Sequence, residues 1–334
     1  MRLARRIGVA ALVAATIYLG IALGMILSQW PSGEIGTEGG LDFDRQISAA
    51  APVAAPVRTY RARDGRALSY RAAPAPTKAK PLLVLLHGSG WHSAQFTRLA
   101  TGLSPVADVV APDLRGHGFA PARRGDIDHI GQLEEDIADL IAATRRPGQK
   151  VILAGHSSGG GLVVRFAGGK YGDLIDGAVL MAPFLKYNAP TTRPNSGGWA
   201  QPLTRRIIGL SMLNSVGIHA LDSLVVIRFV FPKSVRDGPL GHTITDAYSW
   251  RLNTSFAPRG DYLSDIAALP EFLLIAGGDD EAFFAGKYEP LMRGVTGKGT
   301  YRLVAGVSHL DIVDARETLA MIRSFAESFA AVAE

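Results

Sequence analysis

The sequence predicts an α/β domain built on a mainly parallel sheet, preceded by one membrane-spanning helix. Short and almost wholly apolar runs recur along the chain, and each ends in glycine or polar residues. Segments whose apolar residues have helical spacing lie between the early runs, as expected when strands and helices alternate in a parallel sheet. An uncharged apolar stretch stands at the N-terminus and is long enough to cross a bilayer.

Residues 1–30 are predicted to be an uncleaved signal anchor. The basic segment MRLARR is followed by the uncharged run IGVAALVAATIYLGIALGMILSQW, whereas secretory signals usually have shorter apolar regions and a small-residue cleavage site directly after them. The basic flank is N-terminal, which predicts a cytoplasmic N-terminus and a catalytic domain in the periplasm or otherwise outside the cytoplasm. A cleaved signal and a buried core helix are the alternatives.

Residues 31–56 are rich in Gly, Ala and Pro and are predicted to be a linker between the anchor and the domain. The next segment, VRTYRARDGRALSYRAA, has two alternating runs around Asp64 and Gly65. This is the pattern of a β-hairpin, so the core is predicted to begin at residue 57.

Apolar runs of five to eight residues predict strands that are buried on both faces of a parallel sheet. The segment HIGQLEEDIADLIAATRR, between two of them, has the spacing of a crossover helix. Ligands of such sheets bind beyond the carboxyl ends of the strands, where the polar residues of this chain cluster. The predicted strands are PLLVLLHG, ADVVAPD, KVILAGH, GAVLMAP and EFLLIAGGDD.

Residues 184–270 separate two predicted strands by much more chain than one crossover needs, and we expect them to form a helical cap. The α/β core then comprises residues 57–183 and 271–334. Two pieces of the cap, LTRRIIGLSML and ALDSLVVIRFVF, are predicted to be helices. The apolar run from Leu221 to Phe231 fits either contact with lipid or packing of a cap helix.

Residues 155–159, GHSSG, match the pattern G-x-S-x-G between a predicted strand and an apolar helix. The pattern requires a sharp turn that lifts the serine above the sheet, and its glycines let the backbone pass close to its neighbours. It predicts Ser157 as a nucleophile and the backbone N–H of Ser158 as an oxyanion donor. The alternative interpretation is a glycine turn that only opens a helix.

A serine hydroxyl needs a base to react at neutral pH, and His309 follows the last strand-like run in a loop suited to this role. An acid must orient the imidazole. Asp280, which follows the end of a predicted strand, is predicted to be that acid, with Asp279 as its main rival. The backbone N–H of Ser89, in the glycine-rich loop HGSGWHS, is predicted to be the second oxyanion donor.

The composition argues against several other chemistries. The chain has no cysteine, which excludes disulfides, thiol catalysis and cysteine metal sites. The net charge is +5, but the sequence has no stripe of basic residues with aromatic residues between them. Nucleic acid is therefore not an expected partner. The sequence shows neither a metal-binding histidine pair nor a phosphate loop, so we expect no cofactor and no metal. No pattern indicates an oligomeric state.

The motifs HGSGWHS, DLRGHG, GHSSGG, GGDD and SHL occur in this order and resemble the α/β-hydrolase superfamily. Two segments, HGSGWHS and the stretch ARRGDIDHIGQLEEDI that follows DLRGHG, are similar to one group within it. This is the monoacylglycerol lipase, lysophospholipase and serine aminopeptidase-like (S33-type) group. The resemblance extends over residues 57–330 apart from the cap. It implies a mainly parallel eight-stranded sheet with helices on both faces, a triad of Ser157, Asp280 and His309, and ester hydrolysis through an acyl-enzyme.

The predicted function is therefore that of a serine hydrolase acting on a small-molecule or lipid ester. A peptidase or amidase is the alternative, because a fold alone does not choose among these reactions. A non-catalytic binding protein is a further alternative, against which the ordered set of motifs argues. The chain departs from the group at 281–283, where Glu-Ala-Phe follows the acid in place of the Pro or Arg and β-branched pair often found there.

Overall fold

The computed structural model describes residues 2–31, 40–44, 56–77 and 80–330. Within these ranges, one sheet has eight strands and a second sheet has three. The strands of the large sheet are β1 (Val57–Arg61), β2 (Ala67–Ala73), β3 (Leu82–Leu86), β4 (Asp108–Pro112), β5 (Val151–His156), β6 (Gly177–Met181), β10 (Glu271–Gly277) and β11 (Gly299–Val304). The strands of the small sheet are β7 (Ala200–Pro202), β8 (Val225–Phe229) and β9 (Ala247–Ser249).

The large sheet has the strand order β1-β2-β4-β3-β5-β6-β10-β11. The predicted hairpin is confirmed, since β1 and β2 pair antiparallel, and β2 also pairs antiparallel with β4. All other neighbours in this sheet are parallel. Every residue of β3, β4, β5 and β6 is buried, which is why these segments read as continuous apolar runs. The predicted mainly parallel, eight-stranded sheet is confirmed.

The helices of the described residues are α1 (Arg2–Leu27), α2 (Thr97–Leu103), α3 (Gln132–Thr144), α4 (Ser158–Ala167), α5 (Thr204–Ser215), α6 (Lys233–Arg236), α7 (Trp250–Phe256), α8 (Tyr262–Ala268), α9 (Tyr288–Arg293) and α10 (Arg316–Glu327). In the core, α2 packs against α10. The core helices α3 and α4 pack against α7 of the inserted segment, and α4 also packs against α8 of that segment. The inserted segment is therefore in direct contact with the core helices.

A buried ion pair joins the hairpin, the DLRGHG loop and helix α3. Arg115 is 8% exposed and donates to both carboxylate oxygens of Asp136, at 2.8 and 2.7 Å. Its third contact is with Asp64 in the turn of the hairpin, at 2.7 Å. Removing one partner of a buried pair leaves an uncompensated charge, so a substitution of Arg115 or Asp136 alone would destabilise the packing of these three elements.

The inserted segment contains a small antiparallel sheet as well as helices. The first predicted helix is confirmed as α5, but the helix predicted over ALDSLVVIRFVF is wrong. Residues Val225–Phe229 form β8, the central strand of the small sheet, which pairs with β7 and β9. Three consecutive β-branched residues, Val225, Val226 and Ile227, favour the strand, and pairing on both edges satisfies its backbone.

The N-terminal helix α1 is long and apolar enough to cross a membrane by length and composition. Residues 2–17 are exposed, so the alternative of a buried core helix is wrong. The second half of the helix packs on α5, where Ala22 and Ile26 are buried against Leu210. Gly209 makes this contact possible, because a Cβ atom there would lie 2.5 Å from the Ala22 carbonyl oxygen.

Candidate active site

Ser157 lies at the turn between β5 and α4, with φ 55° and ψ −121°, outside the usual regions for a residue with a side chain. The backbone of this turn packs closely against other backbone segments on both sides. A Cβ atom on Gly155 would lie 2.3 Å from the Gly159 carbonyl carbon, and one on Gly159 would lie 2.2 Å from the Leu86 oxygen. Glycines are therefore required here, as the G-x-S-x-G pattern predicts.

Ser157, His309 and Asp280 form one hydrogen-bonded chain. Ser157 Oγ lies 3.0 Å from His309 Nε2, and His309 Nδ1 lies 2.9 Å from Asp280 Oδ2. His309 and Asp280 are each 1% exposed. A neutral imidazole fits this order, with Nδ1–H donating to the carboxylate and Nε2 accepting from the hydroxyl. The structure brings the three residues together from the ends of β5, β10 and β11, while their catalytic roles remain predictions.

Asp280, rather than Asp279, hydrogen-bonds the imidazole. Its Oδ1 accepts the backbone N–H groups of Ala282, at 2.8 Å, and Phe283, at 2.7 Å. Burial alone would raise the pKa of Asp280, but the charge and hydrogen bond of His309 and these two N–H groups hold that pKa below its ordinary value. The carboxylate is therefore charged at neutral pH. Asp279 is exposed.

Glu281 fixes the loop of the histidine, a role that sequence reasoning missed. Its Oε2 accepts the backbone N–H of His309 at 2.9 Å, and its Oε1 accepts the backbone N–H of Asp42 at 3.0 Å. One carboxylate thus connects the histidine loop with residues 40–44. In the sequence, Glu281 stands out as a departure from the related group, but its partner Asp42 lies too far away in the chain for a pattern to reveal the contact.

His156 hydrogen-bonds the backbone of the loop that contains His309. Its Nε2–H donates to the His309 carbonyl oxygen at 2.9 Å, so its Nδ1 accepts from the Gln95 amide at 2.7 Å. Burial, and then the charge of His309, lowers the pKa of His156 to about 3. His156 is therefore neutral and acts as a fixed donor and acceptor.

The two residues predicted to supply oxyanion donors lie in contact beside Ser157. The hydroxyl oxygens of Ser89 and Ser158 are 2.5 Å apart. A Cβ atom on Gly88 would lie 3.2 Å from Ser157 Cβ, so the loop backbone passes directly alongside the serine. Ser158 is the first residue of α4, where a backbone N–H has no acceptor within its own helix.

A cap residue, Tyr248, holds the loop that carries Ser89. The Gly90 N–H donates to Tyr248 Oη at 2.6 Å, and Tyr248 Oη lies 2.6 Å from His117 Nε2. His117 Nδ1 faces the Arg115 carbonyl at 3.1 Å and must carry the proton, so Nε2 accepts from the tyrosine. Burial lowers the pKa of His117 well below its ordinary value, which keeps it neutral. The Gly90 carbonyl in turn accepts the Thr245 N–H at 2.9 Å.

The pocket around Ser157 and His309 is mostly apolar and aromatic. Residues 40–44, which were expected to be linker, contribute two of its buried side chains; the rest of that predicted linker, except for its two end residues, lies outside the described residues. In the described part of the chain, no group of three or more His, Cys, Asp or Glu residues could hold a metal ion. The apolar lining consists of Leu41, Phe43, Trp91, Trp199, Phe231, Leu310 and Val313.

A family model described as serine aminopeptidase, S33, matches residues 77–313. The chain belongs to this family. An uncharacterized protein of Mycobacterium tuberculosis is 28% identical over 224 residues, which cover 62% of this chain and 63% of the relative. Human monoglyceride lipase is 28% identical over 168 residues, covering 49% of this chain and 53% of the lipase. The chain thus matches less than two thirds of the length of these relatives.

Solved structures with the same fold include two lipases. The structure of a soluble variant of monoglyceride lipase from Saccharomyces cerevisiae has a TM-score of 0.63 and 17% identity, and covers 91% of this chain and 99% of its own. Monoacylglycerol lipase from Paleococcus ferrophilus has a TM-score of 0.58 and 20% identity, and covers 79% of this chain and 99% of its own. The expected α/β-hydrolase fold of the chain is confirmed.

Replacing Tyr248 with Phe tests the predicted role of the HGSGWHS loop, here called the oxyanion loop, in stabilising an oxyanion. The Tyr248→Phe variant leaves the Gly90 N–H and His117 Nε2 without their partner and removes a single oxygen. Because an oxyanion exists only in the transition state, we expect kcat on a p-nitrophenyl ester to fall about 10- to 100-fold with little change in KM.

Tyr60→Phe is the matched control, since it also loses one buried hydroxyl bond, to the Asp136 carbonyl, away from the site. Steady-state kinetics on both variants measures the difference. An unchanged kcat in Tyr248→Phe, or an equal loss in both variants, would contradict the role of Tyr248.

Proposed function

We propose that this protein is a serine hydrolase that cleaves carboxylic esters through an acyl-enzyme on Ser157. The observation that carries the proposal is the continuous hydrogen-bonded chain from Ser157 through His309 to the charged Asp280. In the proposed first step, His309 Nε2 takes the hydroxyl proton as Ser157 Oγ attacks the ester carbonyl. The backbone N–H groups of Ser89 and Ser158 then stabilise the oxyanion.

The remaining steps return the enzyme to its starting state. The tetrahedral intermediate collapses, the alcohol leaves with the proton from His309, and the acyl group stays on Ser157. Water then attacks the acyl carbon and gives one proton to His309. The second collapse breaks the bond to Ser157 Oγ, which takes that proton back and releases the carboxylic acid.

The substrate that we propose is the ester of an apolar acyl chain, such as a monoacyl lipid. The aromatic and aliphatic lining of the pocket supports this class, and so do relatives that are named monoglyceride and monoacylglycerol lipases. The second candidate is hydrolysis of a peptide or amide, which the description of the family model favours. The apolar lining argues for the ester of an apolar acid as the preferred substrate.

We also propose that α1 anchors the enzyme in a membrane, with the N-terminus in the cytoplasm and the catalytic domain in the periplasm. The support is the uncharged run after Arg2, Arg5 and Arg6 and the length of the helix. A C-terminal alkaline phosphatase fusion in a bacterial host should therefore be active, because that reporter needs an extracytoplasmic location. A full-length fusion that is expressed but inactive would contradict this orientation.

Ser157→Ala should abolish both ester hydrolysis and covalent labelling. We expect the full chain, purified in detergent, to hydrolyse a short p-nitrophenyl ester and to react with a fluorophosphonate probe. Without the Ser157 hydroxyl, neither an acyl nor a phosphonyl bond can form at this position. Ser211→Ala, at an exposed serine on α5, is the control and should retain both signals. Labelling that persists in Ser157→Ala would remove Ser157 from its proposed role.

Asp280→Asn and Asp279→Asn separate the two candidate acids. An amide at position 280 cannot stabilise the charged imidazole and favours the wrong tautomer of His309, so we expect kcat to fall by about 10⁴-fold. Asp279→Asn should retain the kcat of the unmodified chain, because the exposed Asp279 side chain is not the partner of the imidazole. Both values come from hydrolysis of the same p-nitrophenyl ester. Full activity in Asp280→Asn would assign the role to another group.

A further inference from the structure

Residues 40–44, here called the strap, precede the core in the sequence and pack against the pocket of Ser157. Leu41 and Phe43 are 7% and 5% exposed, although the surrounding sequence has the composition of a linker. Both side chains line the cavity that also contains Ser157 and His309. The strap is therefore part of the wall of this cavity.

The ring of Phe43 joins the core side of the pocket to the cap side. Its centroid lies 5.7 Å from Trp91, which lies in the HGSGWHS loop of the core. On the cap side, the corresponding distances are 5.7 Å to Trp199 and 5.6 Å to Phe231. These separations are those of packed aromatic pairs, so Phe43 closes the gap between two walls that come from different parts of the chain.

The backbone of the strap is fixed at both its cap side and its core side. The Asp42 N–H donates to Glu281 Oε1, and the other oxygen of this carboxylate accepts the His309 N–H. Gly40 lies against the cap, where a Cβ atom would be 3.6 Å from Trp199 Cα. The strap is thus hydrogen-bonded to the histidine loop and packed on the cap. These contacts hold its side chains in defined positions, which a binding surface requires.

The chemistry of the wall defines what it can bind. The strap presents one aliphatic and one aromatic side chain, and the neighbouring Trp91, Trp199 and Phe231 are also aromatic. Such a surface favours a hydrocarbon chain. The cavity also contains Asp314, and burial raises the pKa of its carboxyl group. The ring of Phe43 also occupies volume that a longer chain would need.

We propose that the strap is the closing wall of the acyl pocket and that Phe43 limits the length of the acyl chain that the enzyme accepts. The inference rests on the proposed ester hydrolysis at Ser157. It makes a segment N-terminal to the catalytic core a determinant of specificity.

Alkyl fluorophosphonates with short (C2) and long (C12) chains test this limit on the full-length protein in detergent. The readout is the ratio of the two second-order rate constants for labelling of Ser157. Phe43→Ala opens the pocket, so we expect the long-to-short ratio to rise about tenfold, the effect that a changed apolar subsite has on discrimination. Phe43→Trp should lower the ratio. Phe329→Ala removes a phenylalanine that packs on Phe325, away from the pocket, and should leave the ratio unchanged.

A second measurement does not depend on any reaction of Ser157. Octanoate and hexadecanoate are titrated into Ser157→Ala, and binding is followed by intrinsic tryptophan fluorescence, to which Trp91 and Trp199 of the pocket contribute. Adding Phe43→Ala should shift the preference towards hexadecanoate. If Phe43→Ala leaves the chain-length preference unchanged in both measurements, the strap proposal is overturned. It is also overturned if both labelling rates fall equally while the fatty-acid preference stays unchanged. Absence of labelling in the unmodified protein would overturn the proposed function instead, and fatty-acid binding would then decide the strap proposal alone.

Discussion

The geometry of the site depends on one tight turn in which backbone lies against backbone. Ser157 adopts a conformation that costs roughly 1–3 kcal/mol for a residue with a side chain. Three hydrogen bonds offset this cost: the Ser157 N–H donates to the Met181 carbonyl at 2.9 Å, and its carbonyl accepts from Phe184 at 2.9 Å and Gly161 at 3.1 Å. The end of the neighbouring strand β6 therefore helps to hold the serine above the sheet, and the rest of the site is arranged around that position.

Around this turn, burial controls protonation and thereby the direction of each hydrogen bond. His156 and His117 are kept neutral, so each has one donor and one acceptor nitrogen, and each stabilises a different loop of the site. Asp280 is also buried, but hydrogen bonds and its histidine neighbour keep it ionised. The site thus keeps the carboxylate that faces the imidazole charged, while the supporting histidines add no competing positive charge.

Local patterns could predict the core but not the contacts between its distant parts. Strands buried on both faces leave continuous apolar runs, and the carboxyl ends of parallel strands meet, so Ser157 and His309 could be placed at one edge from sequence. The strand Val225–Phe229 was predicted as a helix although its β-branched residues favour a strand, because the pairing that decides it, with β7 and β9, comes from elsewhere in the cap. Tyr248 and the strap escaped prediction for the same reason, since each acts through a contact with a remote loop.

The cap, the N-terminal helix and the strap form one connected unit over the site. Helix α1 packs on α5, which begins directly after β7, and Trp199 immediately before β7 contacts the strap through Phe43. On the other side of the small sheet, Tyr248 holds the oxyanion loop through Gly90. A displacement of the cap would therefore change the proposed acyl pocket and the loop of Ser89 together. The proposed substrate selection and the predicted oxyanion stabilisation thus both depend on the same small sheet, to which the proposed membrane anchor is also attached.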